Sequence, residues 1–280
     1  MLLECNTGMK PVVPASWLPA RFFFQHNNFR YGRRVLHLQS IMGHKKLIRF
    51  EAIKGFPNVL QYPEGMQGQW QGFFKNNNPV TLELACGKGE YTVGLARLYP
   101  GRNFIGVDLK GNRIYTGAKT CLAEGLGNAA FLRSQIDKIN NYFTEGEVAD
   151  IWITFPDPQL RTSKAKKRLT HPKFLRLYQQ IISSDGCIHL KTDSPDLYHF
   201  TKLVIGLYKL EVLADYDNVY EQALISPELK IKTHYEGLDI AQSNRIHYIK
   251  FRLPATTLPD IDKALQAQLK DHEASVEGRD

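Results

Sequence analysis

The sequence predicts an α/β fold: a mostly parallel sheet of seven strands, helices on both faces, and a late antiparallel strand pair. Three observations carry this. From Val80 onward, short apolar runs alternate with stretches of helical spacing, the pattern of βαβ units. The runs are short enough, and apolar enough, for strands buried inside a sheet. The last two runs follow each other with little helix between them, and the second alternates at Ile246, Tyr248 and Phe251, as an antiparallel edge pair does.

The expected parallel strands are Val80–Leu84, Asn103–Val107, Ala129–Arg133, Asp150–Thr154 and Ile188–Lys191. Glu90–Leu98, Arg113–Gly125 and Lys173–Ser183 carry apolar residues at helical spacing, and Leu210–Tyr216 and Arg245–Leu253 are the late pair. Upstream, residues 1–41 lack periodicity and hold Pro11, Pro14, Pro19 and the run Phe22–Phe24. They are expected to be an unstructured extension or a mis-called start, because Met42 opens the natural-looking Met-Gly-His-Lys-Lys. Residues 42–78 then read as a basic N-terminal arm, 79–254 as the folded domain, and 255–280 as a polar tail, frayed helix at most.

Composition narrows the function classes. The chain has 280 residues, 43% of them hydrophobic and 11% aromatic, which excludes wholesale disorder. No apolar run approaches the ~18 residues of a membrane span, and no secretory pattern opens the chain. Cys5, Cys86, Cys121 and Cys187 lie far apart without a CxxC. That spacing fits reduced cytoplasmic thiols and no metal site. The net charge of +8 is unevenly placed: residues 1–54 carry +7, residues 161–176 another +7, and the remainder is acidic. Two concentrated basic patches on an acidic body are the footprint of a protein that binds a polyanion such as nucleic acid.

Leu82-Glu83-Leu84-Ala85-Cys86-Gly87-Lys88-Gly89-Glu90 runs from a strand into a helix. Gly87 and Gly89 let the backbone turn tightly and approach a ligand. A dinucleotide fingerprint would place a third glycine where Thr92 stands, and Glu83 and Glu90 bring negative charge where two phosphates would sit. A carboxylate-lined loop suits a cofactor with a cationic head, and S-adenosylmethionine, with its sulfonium and ammonium, is such a molecule. Asp108, ending the next strand, is placed to accept from both hydroxyls of a ribose.

The fourth strand runs into Phe155-Pro156-Asp157-Pro158. In an open α/β sheet, ligands sit beyond the carboxyl ends of such strands. Two prolines bracket Asp157 and restrict its backbone, holding one carboxylate beside the cofactor. A basic stretch from Arg161 to Arg168 follows, suited to gripping phosphates.

The combination resembles the bacterial tRNA (guanine-N(7)-)-methyltransferase family. It does so at Leu82–Glu90, Phe104–Asp108, Phe155–Pro158 with its basic continuation, Thr170-His171-Pro172, Thr192-Asp193, Thr233-His234-Tyr235-Glu236 and Ile246–Leu253. The resemblance covers about Lys45 to Leu253. It implies a Rossmann-like class I methyltransferase that moves a methyl group from S-adenosylmethionine to N7 of a guanine in the tRNA variable loop, as a cytoplasmic monomer. It also implies that Glu83, Gly87, Gly89, Asp108, Gln135 and Asp157 meet the cofactor, with Asp157 the catalytic residue. Arg161, Asp193, Thr233, His234, Tyr235 and Glu236 would meet the tRNA. Three residues depart from the family's habit: Gln159 follows the second proline where tryptophan is usual, Arg161 stands for lysine, and Gln135 for Asp or Asn.

Rival readings are a methyltransferase acting on an exocyclic amine, a catalytically inactive RNA-binding protein on the same fold, and a nicotinamide dehydrogenase. The first usually carries a second proline and an aromatic ring where Gln159-Leu160 stands. The second has no need of an intact Glu83, Gly87, Gly89 and Asp108. The third is disfavoured by Thr92. His171 is expected to cap or pack the helix after it, and His189 to be a core residue.

Overall fold

The computed structural model describes residues 44–238 and 242–277. The extension expected over 1–41, and the start at Met42, lie outside the described residues. The strands are β1 (Val59–Gln61), β2 (Val80–Leu84), β3 (Asn103–Asp108), β4 (Ala129–Arg133), β5 (Val148–Thr154), β6 (Ile182–Thr192), β7 (Glu211–Tyr216) and β8 (His247–Arg252). They form one sheet in the order β1-β4-β3-β2-β5-β6-β8-β7. β1 to β6 pair in parallel, whereas β8 is antiparallel to both β6 and β7.

Seven of these strands are the expected ones and the eighth is β1, from the segment expected as an arm. Val59, Leu60 and Gln61 pair with Phe131, Leu132 and Arg133 and cover what would otherwise be an open sheet edge. The same segment contains helix α1 (residues 44–52) and helix α2 (Trp70–Phe74). Trp70 is fully buried, stacks on Phe143 with ring centroids 5.1 Å apart, and donates Nε1–H to the Tyr142 carbonyl at 2.8 Å. The described part of the arm is therefore part of the body.

The other helices are α3 (Glu90–Leu98), α4 (Gly111–Glu124), α5 (Pro172–Gln179), α6 (Pro195–Tyr208) and α7 (Asp262–Glu277). Strand periodicity sorts the core into two layers. Phe104, Ala129, Phe131 and Trp152 pack with α3 and α4, while Ile105, Val107, Leu132, Ile151 and Ile153 pack with α2, α5 and α6. Helical spacing alone does not reveal α6, although Ser194 caps it by accepting from Leu197 N–H and Pro195 opens its first turn. α5 ends at Gln179, and Ile182 already belongs to β6. The expected tail instead docks: Leu265 of α7 is fully buried, and Asp262 pairs with Arg176 at 2.6 Å.

β2 is where the strand order turns, with β3 on one side and β5 on the other. The carboxyl ends of β2 and β5 therefore open a crevice at the switch point, where open α/β sheets bind their ligands.

Candidate active site

β2 delivers Glu83 and then enters the loop 85–89, in which Ala85, Gly87 and Gly89 all have positive φ. At Gly87 an added Cβ would make only ordinary contacts, with the Tyr235 ring at 3.6 Å and the Ala85 carbonyl at 4.0 Å, so what favours glycine there is the backbone φ of 57°. At Gly89 a Cβ would lie 2.5 Å from Phe131 Cε1. Gly89 is thus held to glycine by helix–sheet packing, and it does not line the cavity described below.

Gly89 is also the N-cap of α3 and has no side chain to satisfy the helix's first N–H groups. Glu83 does so from the neighbouring strand. Its Oε2 accepts from Thr92 N–H at 2.7 Å and from the Thr92 hydroxyl at 2.5 Å, and its Oε1 accepts from the Thr154 hydroxyl at 2.7 Å. One carboxylate therefore joins β2, α3 and β5. It is only 2% exposed, and that burial outweighs the three donors and pushes its pKa up to about 7. Thr92, where a dinucleotide loop has glycine, supplies two of these three donors.

Asp108 ends β3 with its Oδ2 accepting from Gly87 N–H at 3.0 Å and its Oδ1 from Lys110 N–H at 2.7 Å. Each oxygen keeps acceptor capacity for a ligand hydroxyl. Gln135 is exposed and lines an adjoining depression that shares Ala85 and Asp108 with the main cavity.

At the end of β5, Phe155 has φ of 46° and donates its N–H to the Lys191 carbonyl at 2.8 Å. Asp157 is exposed to the cavity, and its Oδ1 accepts from Gln159 N–H at 3.0 Å, which closes a tight turn on the carboxylate. The carbonyls of Pro158, Gln159 and Leu160 all accept from the Arg168 guanidinium at 3.1 to 3.2 Å, and Arg168 sits 4.5 Å over the Phe200 ring. One member of the basic run is therefore buried and clamps the turn. Arg161, Lys164, Lys166 and Lys167 remain exposed around the short 3-10 helix Thr162–Lys167.

These walls enclose a cavity of about 550 Å³, lined by Glu83, Gly87, Asp108, Asp157, Asp193, Thr233 and Tyr235 among others. Arg113 borders it and stands 5.8 Å from the Tyr235 ring. His234 is exposed outside the lining, and so is Arg161. Glu236 is also outside it, bonded to Lys191 at 3.0 Å and accepting from the Tyr220 hydroxyl. Lys191 is a fully buried lysine, and its place in an apolar strand hides it from sequence reading. The lining fits a cofactor with a cationic head: the carboxylates of Glu90, Asp108, Asp157, Asp193 and Asp196 outnumber the cations of Lys110 and Arg113. Cys86 is buried and its thiol is pushed well up, so it offers no thiolate nucleophile.

His171 accepts from Lys173 N–H at the start of α5, as expected of a cap. His189 stacks on Trp152 at 4.0 Å and meets the Tyr248 hydroxyl at 2.8 Å, as expected of a core residue. Among the described residues, no group of three or more His, Cys, Asp or Glu side chains is placed to hold a metal ion, and no helix is long and apolar enough to cross a membrane.

A family model described as "Putative methyltransferase" matches residues 77–247. The tRNA (guanine-N(7)-)-methyltransferase of Bacteroides thetaiotaomicron is 44% identical over 79% of this chain and 92% of its own. That of Porphyromonas gingivalis is 47% identical over 71% of this chain and 85% of its own. Among solved structures, the 16S rRNA methyltransferase KamB superposes with a TM-score of 0.51 at 13% identity, over 70% of this chain and 96% of that one, a likeness of fold. With its doubly wound sheet, its carboxylate-lined crevice and relatives of this similarity, the chain belongs to the tRNA (guanine-N(7)-)-methyltransferase family.

Proposed function

We propose that this chain transfers a methyl group from S-adenosylmethionine to N7 of a guanine in the tRNA variable loop. The observation that carries the reading is one cavity lined at once by the Gly87 loop and the Asp157 turn, in a chain whose relatives are named tRNA (guanine-N(7)-)-methyltransferases. The bound cofactor supplies a methyl group on a sulfonium, already electrophilic. Asp108, fixed in plane by its bonds to Gly87 and Lys110 N–H, accepts from the ribose hydroxyls. Gln135 borders the adjoining depression, where its side-chain carbonyl can accept from the adenine amine. Glu83 acts from behind, holding α3 and β5 in register around the pocket.

N7 of guanine carries a lone pair and no proton, so no base is required before attack. Catalysis is then proximity and alignment together with stabilisation of the charge that forms on the ring. Asp157, restrained by Pro156, Pro158 and its turn, accepts from the protonated edge of the guanine and offsets that charge. Asp193, Thr233 and Tyr235 wall the nucleotide, while the exposed Arg161, Lys164, Lys166 and Lys167 meet phosphates. His234, exposed beside Tyr235, meets the nucleotide's surroundings. The three described cysteines are free and buried, which suits work in the reducing cytoplasm.

Mass spectrometry of tRNA treated with the protein and labelled S-adenosylmethionine is expected to show 7-methylguanosine at a single variable-loop position. Its absence overturns the reading. Asp157→Ala is expected to keep S-adenosylmethionine affinity within about tenfold while methyl transfer falls by about a hundredfold or more. Full activity with normal binding would remove Asp157 from its role.

A further inference from the structure

We propose that Lys191 is a positioning residue for methyl transfer, and that Glu236 is its counter-ion rather than a contact of the guanine. The inference rests on the function proposed above and names the device that sets the distance between the two walls of that site.

Lys191 is 0% exposed, two residues before Asp193. Its Nζ donates to the carbonyls of Leu229 and Ile231 at 3.0 and 2.9 Å and to Glu236 Oε2 at 3.0 Å, which uses all three ammonium protons. The rings of Tyr91, Phe155 and Tyr220 stand 5.6 to 6.0 Å from the same nitrogen and complete its enclosure. The other oxygen of Glu236 takes the Tyr220 hydroxyl. With its carboxylate 5% exposed, bonded through both oxygens to protein groups and outside the cavity lining, Glu236 faces inward to the protein.

What the pair holds is the substrate wall. Glu236 N–H donates to Thr233 Oγ1 at 3.2 Å and closes a turn around His234 and Tyr235. Thr233 and Tyr235 line the cavity, and the Tyr235 ring lies against Gly87. The main chain of Lys191 holds the opposite wall, because its carbonyl accepts from Phe155 N–H at the start of the Asp157 turn. One residue thus grips the reactive turn by its backbone and the segment 229–236 by its side chain. Apolar side chains of similar volume fill a buried site about as stably as an ion pair does, so stability alone gives no reason for a charge here. Three directed bonds from one fixed nitrogen set the placement of a segment, which apolar packing does only loosely.

The test uses the full-length protein, a tRNA transcript and labelled S-adenosylmethionine, with Lys191→Met, Glu236→Gln, Tyr220→Phe and the Lys191→Met/Glu236→Gln double variant. Lys191→Met is expected to lower kcat by about tenfold or more while S-adenosylmethionine affinity stays within about threefold. The double variant is expected to be about as slow as the slower single, because both residues act through one contact. Losses that multiply in the double variant would mean that Glu236 meets substrate independently, and they overturn the proposal. So does a wild-type kcat in Lys191→Met, or an affinity for the cofactor that falls in step with kcat. Should Lys191→Met fail to fold, Tyr220→Phe and Glu236→Gln form the same cycle through the neighbouring contact, read by the same rule. The wild-type product, identified by mass, tests the function itself. The cycle is read on whichever methylated product forms, so either proposal can fail alone.

Discussion

At Glu83, burial and hydrogen bonding act in opposite directions. Three donors favour the carboxylate form, yet removal from water dominates and lifts the pKa from 4.5 to about 7. The folded state therefore holds this proton more tightly than the unfolded chain. The stability that results is fully present below the unfolded pKa and is lost as pH rises through about 7. Glu83→Gln keeps the shape, can accept from Thr92 with its oxygen and donate to the Thr154 hydroxyl with its amide, and does not titrate. In urea unfolding, the stability of the wild type relative to Glu83→Gln is expected to fall by about 2–3 kcal/mol between pH 5 and pH 8. A difference that stays flat over that range would show that the carboxylate ionises normally. Such a residue is only half legible in a sequence. The acidic position before a glycine loop is visible, but its partners Thr92 and Thr154 become partners only once β2, α3 and β5 lie side by side.

Between β2 and α3, two glycines do different work, and substitution separates them. Gly89→Ala places a methyl group against Phe131 at positive φ, so it is expected to destabilise the fold by about 2 kcal/mol or more, seen as a lower Tm. Gly87→Ala meets no such wall and carries the backbone penalty alone, about 1–2 kcal/mol. Its added carbon faces the cavity, so its larger effect is expected on S-adenosylmethionine affinity measured by calorimetry. Equal effects on both quantities in the two variants would refute the division. At this scale the sequence is most readable where an element is regular and flanked by turns: Val80–Leu84, Glu90–Leu98 and Ala129–Arg133 have their expected bounds. β1 is three residues long, too short for any period, and exists because β4 offers it an edge. α6 is marked by Ser194-Pro195, but apolar residues fill so much of its sequence that helical spacing is hard to separate from a buried strand. By residue type Arg168 reads as phosphate grip and Lys191 as strand, and only long-range bonds reveal them as clamps.

Over the whole molecule, the second basic patch divides. Arg168 holds the Asp157 turn, Lys173 pairs with Asp137 at 2.5 Å and Arg176 with Asp262 at 2.6 Å, whereas Lys164, Lys166 and Lys167 stay exposed. Replacing these three lysines by glutamine is expected to raise the KM for tRNA and to flatten its salt dependence by about 0.7–0.9 in logarithmic slope for each phosphate no longer neutralised. Cofactor affinity is expected to be unchanged, and a KM for tRNA that does not move would place the RNA elsewhere. The segment that meets the other side of the cavity has a different origin. β7 and β8 are antiparallel neighbours, which two residues can connect, yet 30 residues separate Tyr216 from His247. By chain-closure entropy alone the longer connection costs about 2 kcal/mol, offset here by the burial of Val219 and Leu229 and by the grip of Lys191. Both ends of this excursion are pinned in the sheet, so its length and sequence can change without altering strand order. The excursion also reaches the cofactor side, where the Tyr235 ring lies against Gly87 and Tyr91 of α3 donates its hydroxyl proton to the Glu228 carbonyl. The enzyme thus carries one exchangeable wall that leans on its neighbours: transplanting the stretch between its last two strands keeps the strand order, and methyl-donor binding survives it only where the graft restores the contacts with Gly87, α3 and Lys191.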